Sequence, residues 1–140
     1  MIKYMDTQFQ EKIANMENTS KTCGSFPIKR VEKGWGHELW IVNKKEYCGK
    51  LLFFKKGKMC SWHYHKIKDE VFYIQSGKIK VLHSWNDDIE KSDITVLEKG
   101  DNFYIPTGLR HRMIAVEDTE LFEFSTEHFE EDSIRIKKGN

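Results

Sequence analysis

The stretch that decides the fold begins at Gly57, ends at Gly77 and reads GKMCSWHYHKIKDEVFYIQSG. It contains two histidines one residue apart, His63 and His65, and Glu70 follows five positions after the second. On a β-strand, residues i and i+2 project from the same face, so both imidazoles reach one point and Glu70 can add an oxygen from the next strand. Two imidazoles and a carboxylate on a rigid sheet suit a transition metal that keeps open positions. The stretch therefore predicts a metal site on a sheet.

Composition and charge narrow the class of protein. The 140 residues suit one domain with a sizeable core. A formal net charge of +1 lacks the basic footprint of a nucleic-acid binder. No apolar run approaches the roughly 20 residues that cross a membrane, and the first residues are too short and mixed for a signal peptide. Cys23, Cys48 and Cys60 are odd in number and scattered, which favours reduced thiols in a cytoplasmic protein.

The chain divides into two parts. Apolar residues at helical spacing predict a short amphipathic helix over Thr7 to Glu17 that packs on the domain or on a partner, and Asn18 to Ser25 is a polar linker. From Phe26 onward, short β-rich runs alternate with turn residues about every ten positions. About ten antiparallel strands would expose edges unless they close into a barrel. We expect a helix and linker over 1–25 and an all-β barrel domain over 26–140.

Alternation along the strand that ends at His65 decides which side chains share a face. His63 and His65 face one way, whereas Cys60, Trp62 and Tyr64 face the other, so we do not expect Cys60 to be a ligand. That second face is too aromatic for solvent, and a homodimer or coverage by the N-terminal helix would explain it.

A second cluster complements the first. His111 shares a face with Met113 and Ala115, which makes it a candidate fourth ligand among apolar neighbours. Glu70 shares a face with Phe72 and Ile74, and a buried carboxylate is costly unless it is paired or bound to metal. Any one of these histidines alone is more often a hydrogen-bonded core residue, so the combination with the surrounding glycines carries the inference.

That combination resembles a known family. The pattern Gly57-x5-His63-x-His65-x4-Glu70-x6-Gly77 is similar to the first cupin motif. Gly100-x5-Pro106-x-Gly108-x2-His111 is similar to the second, although Ala115 stands where an asparagine is common. The resemblance implies a jelly-roll β-barrel that holds one divalent transition metal (Mn, Fe, Co, Ni or Zn) in its mouth, with His63, His65, Glu70 and His111 as the ligands.

Local details imply a substrate class. The spacing His63-x-His65-x2-Lys68-x-Glu70 is similar to the D-lyxose isomerase branch of the cupins. Gly34-Trp35-Gly36 and Glu131-Asp132-x-Ile134-Arg135 resemble the cupin domain of type II phosphomannose isomerases, although Lys66 replaces the usual arginine of that family. The resemblance implies an aldose–ketose isomerase acting on a small sugar or sugar phosphate. The same ligands also suit an Fe- or Ni-dependent dioxygenase or a non-catalytic metabolite-binding protein.

Residues beyond the ligands can be ranked for such a reaction. Lys68 is the first candidate for a catalytic role, and a solvated loop lysine is the alternative. The candidates for substrate binding are Lys50, Tyr104 and Phe124. Lys50 would point into the barrel if it shares a strand face with Leu52 and Phe54. Glu123 qualifies as a base only if its strand turns that face inward, and the flanking Phe122 and Phe124 argue against this orientation.

Overall fold

The computed structural model describes residues 2–16 and 22–140. It contains one α-helix and eleven strands within those ranges: α1 (Ile2–Met16), β1 (Lys29–Lys33), β2 (Gly36–Asn43), β3 (Cys48–Phe54), β4 (Trp62–His65), β5 (Glu70–Ser76), β6 (Lys78–Ser84), β7 (Asp93–Glu98), β8 (Asn102–Ile105), β9 (Arg110–Ala115), β10 (Thr119–Ser125) and β11 (Ser133–Lys137). The helix begins before the predicted Thr7, and the predicted linker falls partly outside the described residues.

The strands form two antiparallel sheets. One has the order β1-β2-β3-β10-β5-β8 and the other has the order β11-β4-β9-β6-β7. Inward-facing apolar residues from both sheets form one buried cluster that includes Leu52, Phe54, Phe72, Val81 and Leu121. Two antiparallel sheets around one core, with crossovers between them, are the jelly-roll arrangement. The all-β fold with a short N-terminal helix is therefore confirmed.

The strand β11 was not predicted from the sequence. It runs antiparallel to β4, with Ser133 opposite His65 and Arg135 opposite His63. Its sequence SIRIK is short and charged, as is common for strands at the edge of a sheet. This pairing brings the C-terminal segment beside the two histidines.

The face expected to contain Cys60, Trp62 and Tyr64 is different in the structure. Regular strand geometry begins only at Trp62, so alternation does not fix Cys60, which is buried with its Sγ accepting from the Met113 amide at 3.2 Å. Trp62 is fully buried, and its Nε1 donates to the Asp87 carbonyl at 2.8 Å. Trp62 is therefore covered by the chain itself, and Cys60 lies in the inner core, where it lines the same cavity as the histidines, so these two residues give no support to a dimer. The α-helix of the described residues is too short and too polar to span a membrane.

Candidate metal centre

Three histidines meet inside the barrel. His63 and His65 lie on β4, and His111 lies on β9 directly opposite His63. The ring centroid of His63 is 5.1 Å from that of His65 and 4.3 Å from that of His111. One ligand atom from each of the three lies within 4.8 Å of the others. In the described part of the chain, the sheet therefore brings together three of the four predicted ligands as a group that could hold a metal ion.

In two of the three rings, Nδ1 lies within hydrogen-bond distance of a backbone carbonyl oxygen. His63 Nδ1 lies 2.9 Å from the Ser61 carbonyl oxygen, and His111 Nδ1 lies 3.0 Å from the Leu109 carbonyl oxygen. An Nδ1 that donates to a carbonyl leaves Nε2 with a free lone pair, which is the arrangement of metal-binding histidines. His65 Nδ1 is buried without a hydrogen-bond partner among the described residues, 3.7 Å from Asp132 Oδ2.

Glu70 adjoins the three-histidine group. Its side chain is 1% exposed, and Oε1 lies 3.1 Å from His111 Nε2 and 3.8 Å from His65 Nε2. The carboxylate is not among the three side chains that converge within 4.8 Å, so its role as the fourth ligand stays a prediction. Its donor type and its burial fit a divalent cation beside three imidazoles.

The protonation states also fit a metal. Burial lowers the pKa of His63 well below its usual value, and burial lowers the pKa of His65 to about 3, with the nearby Lys68 and His111 acting in the same direction. Burial alone would raise the pKa of Glu70, but Lys68 and His111 hold it well below its usual range. Neutral imidazole and ionised carboxylate are the forms that bind metal, so binding requires no deprotonation of these groups near neutral pH.

Lys68 is buried inside the barrel and is not a solvated loop residue. Its side chain is 3% exposed, and Nζ lies 3.0 Å from Glu70 Oε2 and 3.0 Å from Glu123 Oε2. Burial would lower the pKa of Lys68, but the two carboxylates raise it above its usual value. The Asp132 carboxylate accepts from the backbone amides of Lys66, Ile67 and Lys68 and thereby fixes the loop. Lys68 is therefore a fixed cation that bridges two buried carboxylates, and a catalytic role for it stays a prediction.

Glu123 corrects an expectation drawn from its neighbours. Leu121 and Glu123 are buried on the inner face of β10, whereas Phe124 is 55% exposed on the outer face. Burial raises the pKa of Glu123, partly offset by Lys68. The aromatic neighbours suggested the opposite orientation because large apolar side chains usually face the core. Glu123 is thus a buried carboxylate that faces the same cavity as the histidines.

Lys50 lies on the inner face of β3 and is 2% exposed. Its Nζ lies 3.1 Å from His128 Nδ1, 3.9 Å from Glu123 Oε2 and 4.2 Å from the centre of the Trp40 ring. Trp40 lies opposite Lys50 on the neighbouring strand β2. Sequence patterns did not point to His128, which lines the cavity from a segment 78 residues further along the chain.

These side chains line one cavity of about 350 Å³, at the lower end of the range for small-molecule sites. The lining contains the histidine group, Lys68, Lys50, Glu123 and the segment from Lys138 to Asn140. Tyr104 and Phe124 are absent from it, because both project from the outer face of the six-stranded sheet and are 53% and 55% exposed. Their predicted role in substrate binding therefore finds no support in the lining of this cavity.

The buried histidines predict a pH-dependent stability. Burial, together with Lys50, lowers the pKa of His128 to about 4. Below pH 6.5 the unfolded chain takes up a proton that the folded chain does not, so the free energy of unfolding falls as the pH drops from about 6.5 towards 4. In urea unfolding of the metal-free protein, His128→Gln should reduce the loss between pH 7 and pH 5 by about 1 kcal/mol after solvent screening. If the free energy of unfolding of His128→Gln depends on pH as that of the wild type does, the lowered pKa of His128 is not the cause of the loss of stability at low pH.

Known proteins share this fold. A mannose-1-phosphate guanylyltransferase of Sinorhizobium fredii is 28% identical over 103 residues, which are 74% of this chain and 18% of that protein. The chain thus spans about a fifth of the length of this relative.

Solved structures match over most of the chain. The capsular polysaccharide assembling protein CapF of Staphylococcus aureus has a TM-score of 0.69 at 20% identity, covering 81% of this chain and 33% of that one. An oxalate decarboxylase of Bacillus subtilis has a TM-score of 0.69 at 20% identity, with coverages of 84% and 33%. KdgF of a Halomonas species has a TM-score of 0.62 at 17% identity, with coverages of 76% and 92%. At these identities the likeness concerns the fold alone.

The family model described as "Cupin domain" matches residues 50–125. This range covers more than half of the chain and contains His63, His65, Glu70 and His111. The chain therefore belongs to the cupin domain family, and it carries inside its barrel a three-histidine group suited to a metal ion.

Proposed function

We propose that this protein is a divalent-metal enzyme that moves a proton between neighbouring carbons of a small sugar or sugar phosphate, as an aldose–ketose isomerase does. The observation that carries the proposal is the inward position of Glu123, a buried carboxylate with a raised pKa, in the same cavity as the three histidines. A bound divalent metal would supply a Lewis acid that polarises the sugar oxygens. His63, His65 and His111, with Glu70 beside them, are the residues that would hold it.

Glu123 is the group best suited to accept the proton and return it. A carboxylate whose pKa is raised by burial is a stronger base than an exposed one once it is ionised. Lys68, 3.0 Å from Glu123 Oε2, fixes the position of this carboxylate. A substrate C2–H would lose its proton to a Glu123 oxygen, and the same oxygen would return the proton to C1, while the hydroxyl proton on O2 would pass to O1 to complete the isomerisation. Lys50 Nζ lies 3.9 Å from the same Glu123 oxygen and adds a second positive charge beside it.

The similarity to a mannose-1-phosphate guanylyltransferase supports a sugar phosphate as substrate class, since that protein is named for one. The support concerns only a fifth of that protein, so the substrate remains part of the proposal.

We expect Glu123→Gln to lower the incorporation of deuterium at C2 by about 10²- to 10⁴-fold while the bound metal is retained, because the amide cannot accept the proton. The measurement is NMR of aldoses and their phosphates incubated with the metal-loaded protein in deuterated water. Glu120→Gln is the matched control, because Glu120 lies on the same strand with an exposed side chain. If the wild-type protein exchanges the C2 proton of no sugar in a broad panel, the proposal that it is an isomerase is refuted. Oxygen consumption would then indicate a dioxygenase, and saturable binding without turnover would indicate a metabolite-binding protein.

A homodimer and a cytoplasmic location are also part of this proposal. Several large apolar side chains are exposed on strands of the six-stranded sheet, among them Tyr73, Tyr104 and Phe124. Exposed aromatic residues on one sheet support a subunit contact. The three free cysteines support a reducing compartment.

A further inference from the structure

Arg135 lines the cavity beside the candidate metal centre, and its side chain is exposed to solvent. It lies on β11 directly opposite His63 on β4. Residues directly opposite on an antiparallel pair project from the same face, with Cβ atoms about 4.5–5.5 Å apart. The guanidinium group therefore starts from the backbone position next to a predicted ligand.

This guanidinium group has no protein partner among the side chains of residues 7–16 and 22–140, the part of the chain whose side chains are described. The chain has four arginines, and the other three are bonded: Arg30 to Glu32, Arg110 to Asp87, and Arg112 to the carbonyls of Lys137 and Lys138. No ion pair or hydrogen bond within the described ranges involves the Arg135 side chain. Since a guanidinium group has five N–H donors in a fixed fork, Arg135 is free to bind an oxyanion in two places at once.

A second cation lies at the same cavity. Lys138 lines it and has no carboxylate within ion-pair distance in the described part of the chain. Its backbone is held in place, because its carbonyl accepts from Arg112 Nη2 at 2.7 Å. The next residue packs so closely that a Cβ on Gly139 would lie 2.4 Å from the Cys60 carbonyl carbon. Lys138 is therefore presented at the cavity from a fixed segment.

From this geometry we infer that Arg135 and Lys138 form a binding subsite for an anionic group of the substrate, a phosphate or a carboxylate. Two unpaired cations beside a metal centre favour a small molecule that carries its negative charge at the end opposite the reacting carbons. The inference deepens the proposed function and rests on it for the identity of the cavity as a substrate site. It narrows the substrate class from sugars in general to acidic or phosphorylated ones.

The test uses the full chain and two probes, inorganic phosphate and acetate, titrated by calorimetry with and without added Zn²⁺. We expect Arg135→Gln to weaken the binding of the preferred anion by about 10- to 100-fold, the effect of losing one good charge-assisted hydrogen bond. The loss should also appear in the metal-free protein, where the anion cannot bind to the ion. Arg135→Lys should recover only part of the affinity, since an ammonium group cannot form the bidentate contact.

Lys137→Gln is the matched control. It removes one positive charge on the same strand, and Lys137 does not line the cavity. Preference for phosphate would identify a phosphorylated substrate, and preference for acetate would identify a carboxylate; either outcome supports the subsite. Equal affinity in the wild type and Arg135→Gln, equal losses in Arg135→Gln and Lys137→Gln, or no binding of either probe would overturn it. Because deuterium exchange is measured separately, the anion-binding result can still be interpreted if the isomerase proposal fails.

Discussion

Replacement of His63 by alanine is expected to reduce the transition metal in the purified protein from close to one ion per chain to none. His63 supplies one of only three imidazoles that converge within 4.8 Å in the described structure, and no other ligating side chain of that part joins them. Two imidazoles and Glu70 would remain. The imidazole that is lost is the one whose Nδ1 lies 2.9 Å from the Ser61 carbonyl oxygen, a contact that fixes the orientation of the ring. Elemental analysis by inductively coupled plasma mass spectrometry measures the occupancy directly.

The matched control for this substitution is His83→Ala. His83 lies on β6 of the same sheet, opposite His111 in the register, but its Nε2 contacts Thr95 Oγ1 at 2.9 Å and it lies outside the three-histidine group. This variant should keep the metal. Full occupancy in His63→Ala would refute the metal centre. Removal of the metal with a chelator should lower the melting temperature of the wild type and leave that of His63→Ala unchanged, because a ligand stabilises only the state that binds it.

Replacement of Lys68 by methionine is expected to destabilise the metal-free protein by about 3–5 kcal/mol, the usual cost of removing one partner from a buried ion pair. Methionine keeps most of the volume, so the effect isolates the charge. Two carboxylates, those of Glu70 and Glu123, would lose the cation that lies 3.0 Å from each of them. Urea unfolding followed by circular dichroism measures the loss.

A double variant tests whether the charge is the cause. Lys68→Met with Glu123→Gln removes one of the two carboxylates left without a cation, so it should be more stable than Lys68→Met alone. Lys66→Met serves as the control, because Lys66 lies two residues away with an exposed side chain. If the single and double variants are equally stable, Lys68 does not stabilise the protein by offsetting the cost of burying the two carboxylates. A loss in Lys66→Met as large as that in Lys68→Met would show an effect of the loop itself.

The parts of the site that are close in sequence could be predicted, because their spacing follows from local geometry. Alternation on one strand places His63 and His65 on one face, and the glycines mark turns that other residues could not form. Gly77 shows the reason, since its φ is +90° and a Cβ there would lie 2.2 Å from the Asp118 carbonyl oxygen. These constraints act within a few residues and leave a readable pattern.

The parts that the sequence did not show depend on contacts between distant segments. Glu123 and His128 meet Lys50 and Lys68 only after β10 and the segment that follows it have been placed beside β3. No regular spacing of residues in the sequence indicates such long-range contacts. The errors have local causes as well: Cys60 precedes the regular part of its strand, and an exposed phenylalanine at position 124 breaks the usual preference for apolar residues inside.

The pairing of β11 with β4 has a consequence for the newborn protein. His63 and His65 leave the ribosome well before His111, and the Asp132 carboxylate that ties down the loop after His65 follows later still. A chain halted before the segment from His111 to Lys137 has been synthesised has only part of the histidine group and no neighbour for the open edge of β4. Because domains fold as units during synthesis, we expect firm capture of a metal only after the segment that carries His111 has been synthesised. We therefore expect a metal-bound molecule to be one in which β4 and β9 have already paired.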